Sequence, residues 1–349
     1  MIPKGSRAQI IHQTLKYSAL WSEVQTFNLT ENMRIKSGGE ENAEFEKYLL
    51  RIGEGKEPLV TEAGDMMVKV PEKLKSQALT VEDFCDSIFP DLNKHVQDGL
   101  YKIATADRGA FEWLMSRAII CPTNVDAEEI NQVLMKKIKG KLMIYRSADK
   151  VVDSSEAHKY PQEFLNSVNL SSIPPHILEL KPGMPIMLLR NLDPANGHVN
   201  GQRYFVKDLL GSVIIAEVAT GPHKGKQLMI PRIPFKPEDK TIPFEFIRKQ
   251  FPVKVCFAIT SNKSQGQTLD RVGIYLGKNQ FFSHGQLYVA LSRSRSPKAI
   301  SIFVSRDDPA IKGKKTSNPK LIKNSKKVIN VPPPTEDFMR NVVYPEALS

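Results

Sequence analysis

A change of texture near residue 180, reversed near residue 251, constrains this chain more than any other feature. From Leu180 to Ile233 the sequence runs in short apolar stretches, Ile186–Leu189, Tyr204–Val206, Val213–Val218 and Leu228–Ile230. Between them fall the turn-forming pairs Asn196-Gly197, Asn200-Gly201, Gly211-Ser212 and Gly221-Pro222. Asparagine and glycine reach the positive φ that tight hairpins need, so this spacing predicts consecutive short strands without a helix among them. From Phe251 the pattern returns to alternating elements. Val253–Thr260, Arg271–Leu276 and Ala299–Val304 read as strands, and Ser283 reads as the N-cap of a helix through Arg293. Strands joined by helix-containing connections pack in parallel with right-handed crossovers. The expected fold class is therefore α/β, a parallel-sheet domain interrupted by a small all-β insertion in the form of a compact barrel.

Upstream, Ile10, Ile11, Leu15 and Leu20 give Ala8–Leu20 a helical period, and Val24–Leu29 reads as β-prone. Glu40–Leu50 reads as a helix with Phe45, Leu49 and Leu50 inward and Gly53 and Gly55 ending it. Residues 80–117 look helical, with Phe84, Ile88, Phe111, Trp113 and Leu114 as core. A strand, Arg117–Cys121, closes at Pro122-Thr123-Asn124 and leads to a helix with the stripe Val125, Ile130, Val133 and Leu134. Lys312–Lys327 is rich in Lys, Ser and Asn and reads as a flexible basic linker.

Charge points to a polyanionic partner. Lys plus Arg number 49 against 38 Asp plus Glu, a net charge of +11, and phosphate contacts gain from counterion release. The 3 cysteines, Cys85, Cys121 and Cys256, form no C-x-x-C pair, which argues against a zinc knuckle or disulfide framework and suits a reducing compartment. The apolar runs are too short to span a bilayer, so no membrane partner and a soluble intracellular location are expected.

Two runs carry chemistry. In Phe257–Leu269 an apolar strand ends in a polar cluster around Gly266, where parallel sheets bind ligands. Lys263 can neutralise a phosphate, Thr260, Asn262 and Ser264 can donate hydrogen bonds to one, and Gly266 allows close approach or a positive φ. The plainer alternative is an ordinary polar turn between strand and helix. In Gln286–Arg295, Leu287, Ala290 and Leu291 form a buried stripe, with Gln286 and Arg293 two turns apart on a common face. A permanently charged, planar guanidinium suits the charge that builds on a transferring phosphoryl group, whereas a lone arginine, as Arg295 reads, is surface decoration.

The strings ITSNKSQGQTL and GQLYVALSRSRS resemble motifs V and VI of superfamily-one helicases of the PIF type (petite integration frequency), and more closely the branch that includes the helicase half of Helitron transposons. LTENMR at Leu29–Arg34 resembles motif IV, and CPTNVDAEEIN at Cys121–Asn131 resembles a strand-to-helix segment of the family. LKPGMPIMLLRNLDPANGHVNGQR, from Leu180, resembles the start of the family's inserted 2B barrel. IRKQFPVKVCFAIT resembles the return strand, and NVVYPEAL the transposon branch's C-terminal ending. Asn262 stands where many bacterial relatives carry histidine, and Lys249 where this branch carries arginine.

The resemblance implies a RecA-like second motor domain with a 2B-type barrel insertion. Residues 1–29 would be a remnant of the first RecA-like domain and 30–179 the first part of the second. The inserted barrel would be 180–250, the second part of the motor domain 251–308, and a basic flexible tail 309–349. Arg34 and Arg293 would reach the γ-phosphate, and Gly266 and Gln267 would lie beside the nucleotide. Asn124, Thr260, Asn262, Lys263 and Ser264 would touch single-stranded DNA. Translocation from 5′ to 3′ on a single strand or forked duplex would follow, in the nucleus first and the mitochondrion second if the source is a eukaryote.

The complete family enzyme uses ATP and Mg²⁺, and this chain alone is expected to hold neither. A P-loop needs G-x-x-x-x-G-K-[ST], but the Gly-Lys pairs here are followed by Glu57, Leu142, Gln227, Asn279 and Lys315. No apolar strand ends in Asp-Glu, so no metal ligands are expected either. The expectation is the C-terminal half of such a helicase, inactive alone and completed by a separate P-loop-bearing half. A non-enzymatic nucleic-acid-binding remnant is the alternative, with a basic structural protein of a ribonucleoprotein third.

Overall fold

The computed structural model describes residues 6–27, 39–105, 107–170, 172–237, 242–305 and 337–348. Arg34, with the motif IV string, and the Lys312–Lys327 linker lie outside the described residues. The chain divides into two compact units, Met1–Ala78, Ile120–Asp126 and Thr260–Ser349 in one, Leu79–Ile119 and Ala127–Ile259 in the other. Among the described residues, no helix is long and apolar enough to cross a membrane.

The first unit is organised by a four-stranded sheet of order Ala258–Thr260, Arg117–Cys121, Arg271–Leu276, Ile300–Val304; the chain passes from one unit to the other within the first two of these strands. The last two are parallel, with Val272 opposite Ile300 and Leu276 opposite Val304. Both are nearly continuous apolar runs and nearly all buried, the signature of parallel strands covered on both faces.

The helix Gly39–Glu54 buries Phe45, Tyr48, Leu49 and Ile52, whose spacing of three and four residues places them on one stripe. Leu50, expected inward, is exposed because it lies about a quarter-turn from Leu49. Gly53 continues the helix. Gly55, at φ +70°, ends it, with Lys56 N–H donating to Arg51 O and Gly55 N–H to Ile52 O in a Schellman closure. At the N-terminus only Arg7–His12 is α-helical, and the rest of the expected Ala8–Leu20 helix breaks into the 3₁₀ turns Leu15–Tyr17 and Ala19–Glu23. Val24–Phe27 forms no strand.

The expected tail needs correction at its end. Phe338–Arg340 pairs antiparallel with Met67–Lys69, and Met339, Asn341, Val342 and Val343 are buried. Asn341 Nδ2 donates to Ile52 O, and Arg7 pairs with Glu346 at 2.8 Å. An apolar ending with a burial site folds onto the unit whatever the composition of the basic stretch before it.

The second unit begins with three helices, Val81–Ile88, Leu92–Tyr101 and Gly109–Met115. Phe84, Ile88, Phe111 and Leu114 are buried as expected, while Trp113 is half-buried, its ring 3.7 Å from that of His95. The helix Asn124–Lys137 starts from a capping box in which Thr123 and Asp126 exchange hydrogen bonds. Its inward stripe is Ala127, Ile130 and Leu134; Val125 is 74% exposed and does not belong to it.

The β-rich region forms an antiparallel five-stranded sheet of order Val253–Val255, Pro185–Leu188, Arg203–Leu209, Val213–Glu217, Gln227–Pro231. Ile233–Phe235, Phe246–Gln250 and Ala148–Val151 make a three-stranded sheet, and Met143–Arg146 pairs with Ile177–Leu180. Strands before residue 180 and after 250 therefore join the insertion's sheets. The expected Val253–Thr260 strand is two strands: Val253–Val255 pairs with Pro185–Leu188, and Ala258–Thr260 joins the four-stranded sheet. Within the three-stranded sheet, Arg248 pairs with Asp149 directly across from it, both side chains fully buried, and the guanidinium also donates to Leu165, Val168 and Pro174 carbonyls.

Gly183 has φ +80°, and a Cβ there would sit 2.5 Å from Val96 Cγ1; Gly201 has φ +90° with nothing within 4 Å. Gly183→Ala is expected to lower stability by about 1–3 kcal/mol more than Gly201→Ala, because only the first adds a packing clash to the backbone strain. Urea midpoints measure the difference, and equal losses would contradict the packing.

Candidate functional site

The two chemistry-bearing runs meet within the first unit. Ala258–Thr260 leads into a single helical turn, Ser261–Ser264. Ser261 Oγ donates to Gln286 O at 2.8 Å, and Ser264 Oγ donates to Ser261 O at 2.7 Å. Gly266 then takes φ +80°, with open space where a Cβ would stand, so backbone conformation rather than crowding calls for glycine. Leu269 N–H donates to Arg293 O at 2.9 Å, and Leu269 and Ser294 form a parallel bridge.

Arg293 completes the junction. Its Nε donates to Val289 O at 2.8 Å, Nη1 to Gln267 O at 3.3 Å and Ser264 O at 3.5 Å, and Nη2 to Ser292 Oγ at 2.8 Å. The residue is only 7% exposed. A planar fork of donors suits this task, because one rigid group can hold several carbonyls around a turn. The helix carrying it is shorter than expected, Gln286–Leu291, and Arg293 lies past its end. Ser283 is not the N-cap. Gly285, at φ +71°, occupies that position, and Gln286 Oε1 accepts from Phe282 and Ser283 N–H. Gln286 and Arg293 therefore do not share an outward face, since the Gln286 side chain turns back on the chain leading into its own helix. His284 Nδ1 accepts from Tyr344 N–H at 3.0 Å, and burial holds the imidazole below its ordinary pKa.

The remaining expected residues fall as follows. Asn262, Lys263 and Gly266 are exposed, and Thr260 and Gln267 half-buried. Gln267 Nε2 donates to Lys263 O, tying the far end of the turn to its middle. Ser264 is wholly buried with its hydroxyl donated inward, so its position suits shaping the turn, not donating to a phosphate. Asn124 is exposed in the first turn of its helix, where Asn279 Nδ2 donates to Asp126. Sequence reasoning gave Ser261 no role, although it is the hydroxyl that links the two runs. A buried serine in a polar string carries no mark distinguishing it from its exposed neighbours.

Residues 1–63 match the PIF1-like helicase family, and residues 163–209 match the 2B domain of the DNA helicase Pif1. The zebrafish (Danio rerio) ATP-dependent DNA helicase PIF1 is 32% identical over 185 residues, covering 53% of this chain and 27% of that protein. Two stretches of the chain and this relative thus make it similar to PIF1-like helicases. The Bdellovibrio bacteriovorus ATP-dependent DNA helicase Pif1 is 29% identical over 182 residues, 52% of this chain and 38% of that one. The crystal structure of the Pif1 helicase from Candida albicans covers 85% of this chain and 60% of that chain, with a TM-score of 0.53 at 21% identity, a likeness of fold. The chain thus spans between about a quarter and two fifths of these two curated relatives. Its parallel α/β sheet and β-rich insertion fit a RecA-like fold with a 2B-type insertion. The 2B match begins at residue 163, ahead of the change of texture at 180, in the segment whose Leu165 and Ile173 share a core with Phe235, Phe244 and Phe246.

Proposed function

We propose that this chain forms one wall of an ATP-driven DNA helicase motor, gripping a single strand and responding to nucleotide. What supports this most is the hydrogen-bonded junction of Arg293 with the Ser264–Gln267 backbone. A guanidinium drawn toward a phosphoryl group must release or drag those carbonyls, so the Asn262–Lys263 surface shifts with nucleotide state. On this reading Thr260, Asn262, Lys263 and Asn124 hold the strand, Gly266 and Gln267 border the nucleotide, and Arg34 joins Arg293 as a second sensor. Ser264 contributes by shaping the turn. The Helitron-like branch, the five-part domain division, 5′ to 3′ movement and forked-duplex substrates belong to the same proposal.

The residues present fit the edge of a nucleotide, not its triphosphate. No Gly-Lys pair is followed by Ser or Thr. Among the described residues, no group of three or more His, Cys, Asp or Glu is placed to hold a metal ion. ATP and Mg²⁺ would be held by a P-loop wall with which this chain pairs, and ATP supplies the phosphoryl group whose transfer drives each step. The inward engagement of Arg293 also favours a second reading, a strand-binding module without turnover. Single-strand-stimulated ATP hydrolysis, assayed with and without a supplied P-loop domain, separates the two: turnover in the mixture alone supports the motor, and none in either supports the module.

Lys263→Ala is expected to weaken binding uniformly across DNA sequences and to reduce the slope of log affinity against log salt by about 0.7. Fluorescence anisotropy over a salt series measures it. An unaltered slope would count against a phosphate contact at Lys263.

A further inference from the structure

A second basic surface lies in the first unit, built from residues that neither motif V nor motif VI contains. A cavity of about 360 Å³ is lined by Asp65, Thr123, Lys278, Gln280, Phe282 and Arg340, among others. Its volume falls within the roughly 300–1,000 Å³ of small-molecule sites. Thr123 and Lys278 each follow the carboxyl end of a strand in the four-stranded sheet, Arg117–Cys121 and Arg271–Leu276, the edge at which α/β sheets bind ligands.

Part of the hydrogen-bonding capacity of the lining is unused. Arg340 Nε donates to Asp65 O at 3.4 Å, and among the described residues its two terminal nitrogens make no hydrogen bond. Lys278 is exposed and, among the described residues, forms no ion pair. Gln280 accepts the Arg340 N–H through Oε1, while its Nε2 is buried without a partner. A buried donor left unsatisfied is destabilising unless a ligand or water takes it. Asp65 is an acidic residue of the same lining. Phe282 adds an aromatic ring that is 54% exposed.

Two cations with donor nitrogens to spare, an unsatisfied amide donor and an open ring match the chemistry of a nucleotide within a strand, which offers an anion and a π-face side by side. We propose that this cavity takes one nucleotide of a single strand, its phosphate between Lys278 and Arg340 and its base on Phe282. The proposal rests on the nucleic-acid reading above and adds to it a contact carried by the Gly277–Phe282 loop and the C-terminal strand.

The test is anisotropy of a labelled oligodeoxythymidine with the full chain over a salt series, with circular dichroism confirming that each variant folds. The double variant Lys278→Ala, Arg340→Ala is expected to flatten the salt slope by about 0.7, the increment of the one phosphate the pair neutralises. Phe282→Ala is expected to weaken binding about 5- to 150-fold with the slope unchanged. Should Arg340→Ala disturb its strand pairing, Lys278→Ala alone decides, by a flattening of the slope of up to about 0.7 against none. Thymidine monophosphate competing as well as the oligonucleotide, nucleotide for nucleotide, would overturn the strand assignment. Binding lowered by Lys263→Ala but unchanged in all the pocket variants would overturn this site and leave the motor reading standing. A wild-type chain with no salt-dependent binding would overturn both.

Discussion

In the chain combined with a P-loop domain, Arg293→Ala is expected to lower ATP turnover by a factor on the order of 10³ or more, the loss typical of removing an arginine that stabilises phosphoryl transfer. The structure adds a second consequence. Arg293 donates to the carbonyls of Val289, Gln267 and Ser264, so alanine also leaves the turn beneath Lys263 without its brace. Single-strand affinity should nevertheless change far less than turnover, because Asn262 and Lys263 face outward and are not held by the guanidinium alone. Arg293→Lys should not rescue, since an ammonium cannot present the planar fork that spans several carbonyls. Steady-state hydrolysis beside equilibrium strand binding measures the split. Turnover within a few-fold of wild type would remove Arg293 from the nucleotide site.

A second large effect is expected far from the nucleotide. Arg248→Met should destabilise the second unit by about 3–5 kcal/mol, because it strands the Asp149 carboxylate in an apolar interior. The pair crosses from Phe246–Gln250 to Ala148–Val151, and the same guanidinium holds the Leu165, Val168 and Pro174 carbonyls. Adding Asp149→Leu should recover part of the loss by removing the orphaned charge, yet the three carbonyls stay without their donor. Urea unfolding of both variants measures this. A single-variant loss below about 1 kcal/mol would mean that the carboxylate finds another partner or takes up a proton.

The sequence disclosed most where period and chemistry agree. Arg271–Leu276 and the hairpin turns after residue 180 read correctly, because a strand covered on both faces and a glycine in a tight turn leave local marks. Val253–Thr260 misled, because Val253–Val255 and Ala258–Thr260 have the same apolar texture while serving different sheets. Pairing partners are a long-range property with no local sign. The Gln286–Leu291 helix was overextended for a related reason: its N-cap is a glycine in the left-handed region, and nothing in the string separates Arg293 from the helix before it. Met339, Val342 and Val343 were hidden by the basic run upstream, whose composition dominates any window that contains it. In the candidate site, the polar identities of Thr260, Asn262 and Lys263 were legible, but the inward turn of Ser264 and the coupling of Arg293 to Gln267 depend on tertiary placement.

Coupling between the Arg293 guanidinium and the 261–267 turn can be measured as a free energy. Single-strand affinity of the chain paired with a P-loop domain is titrated with and without a non-hydrolysable ATP analogue, for wild type and Arg293→Ala. The account predicts that the analogue shifts wild-type affinity by roughly 5- to 150-fold, and that the shift collapses in the variant. An equal shift in both proteins would show that nucleotide reaches the strand by a route that does not pass through Arg293.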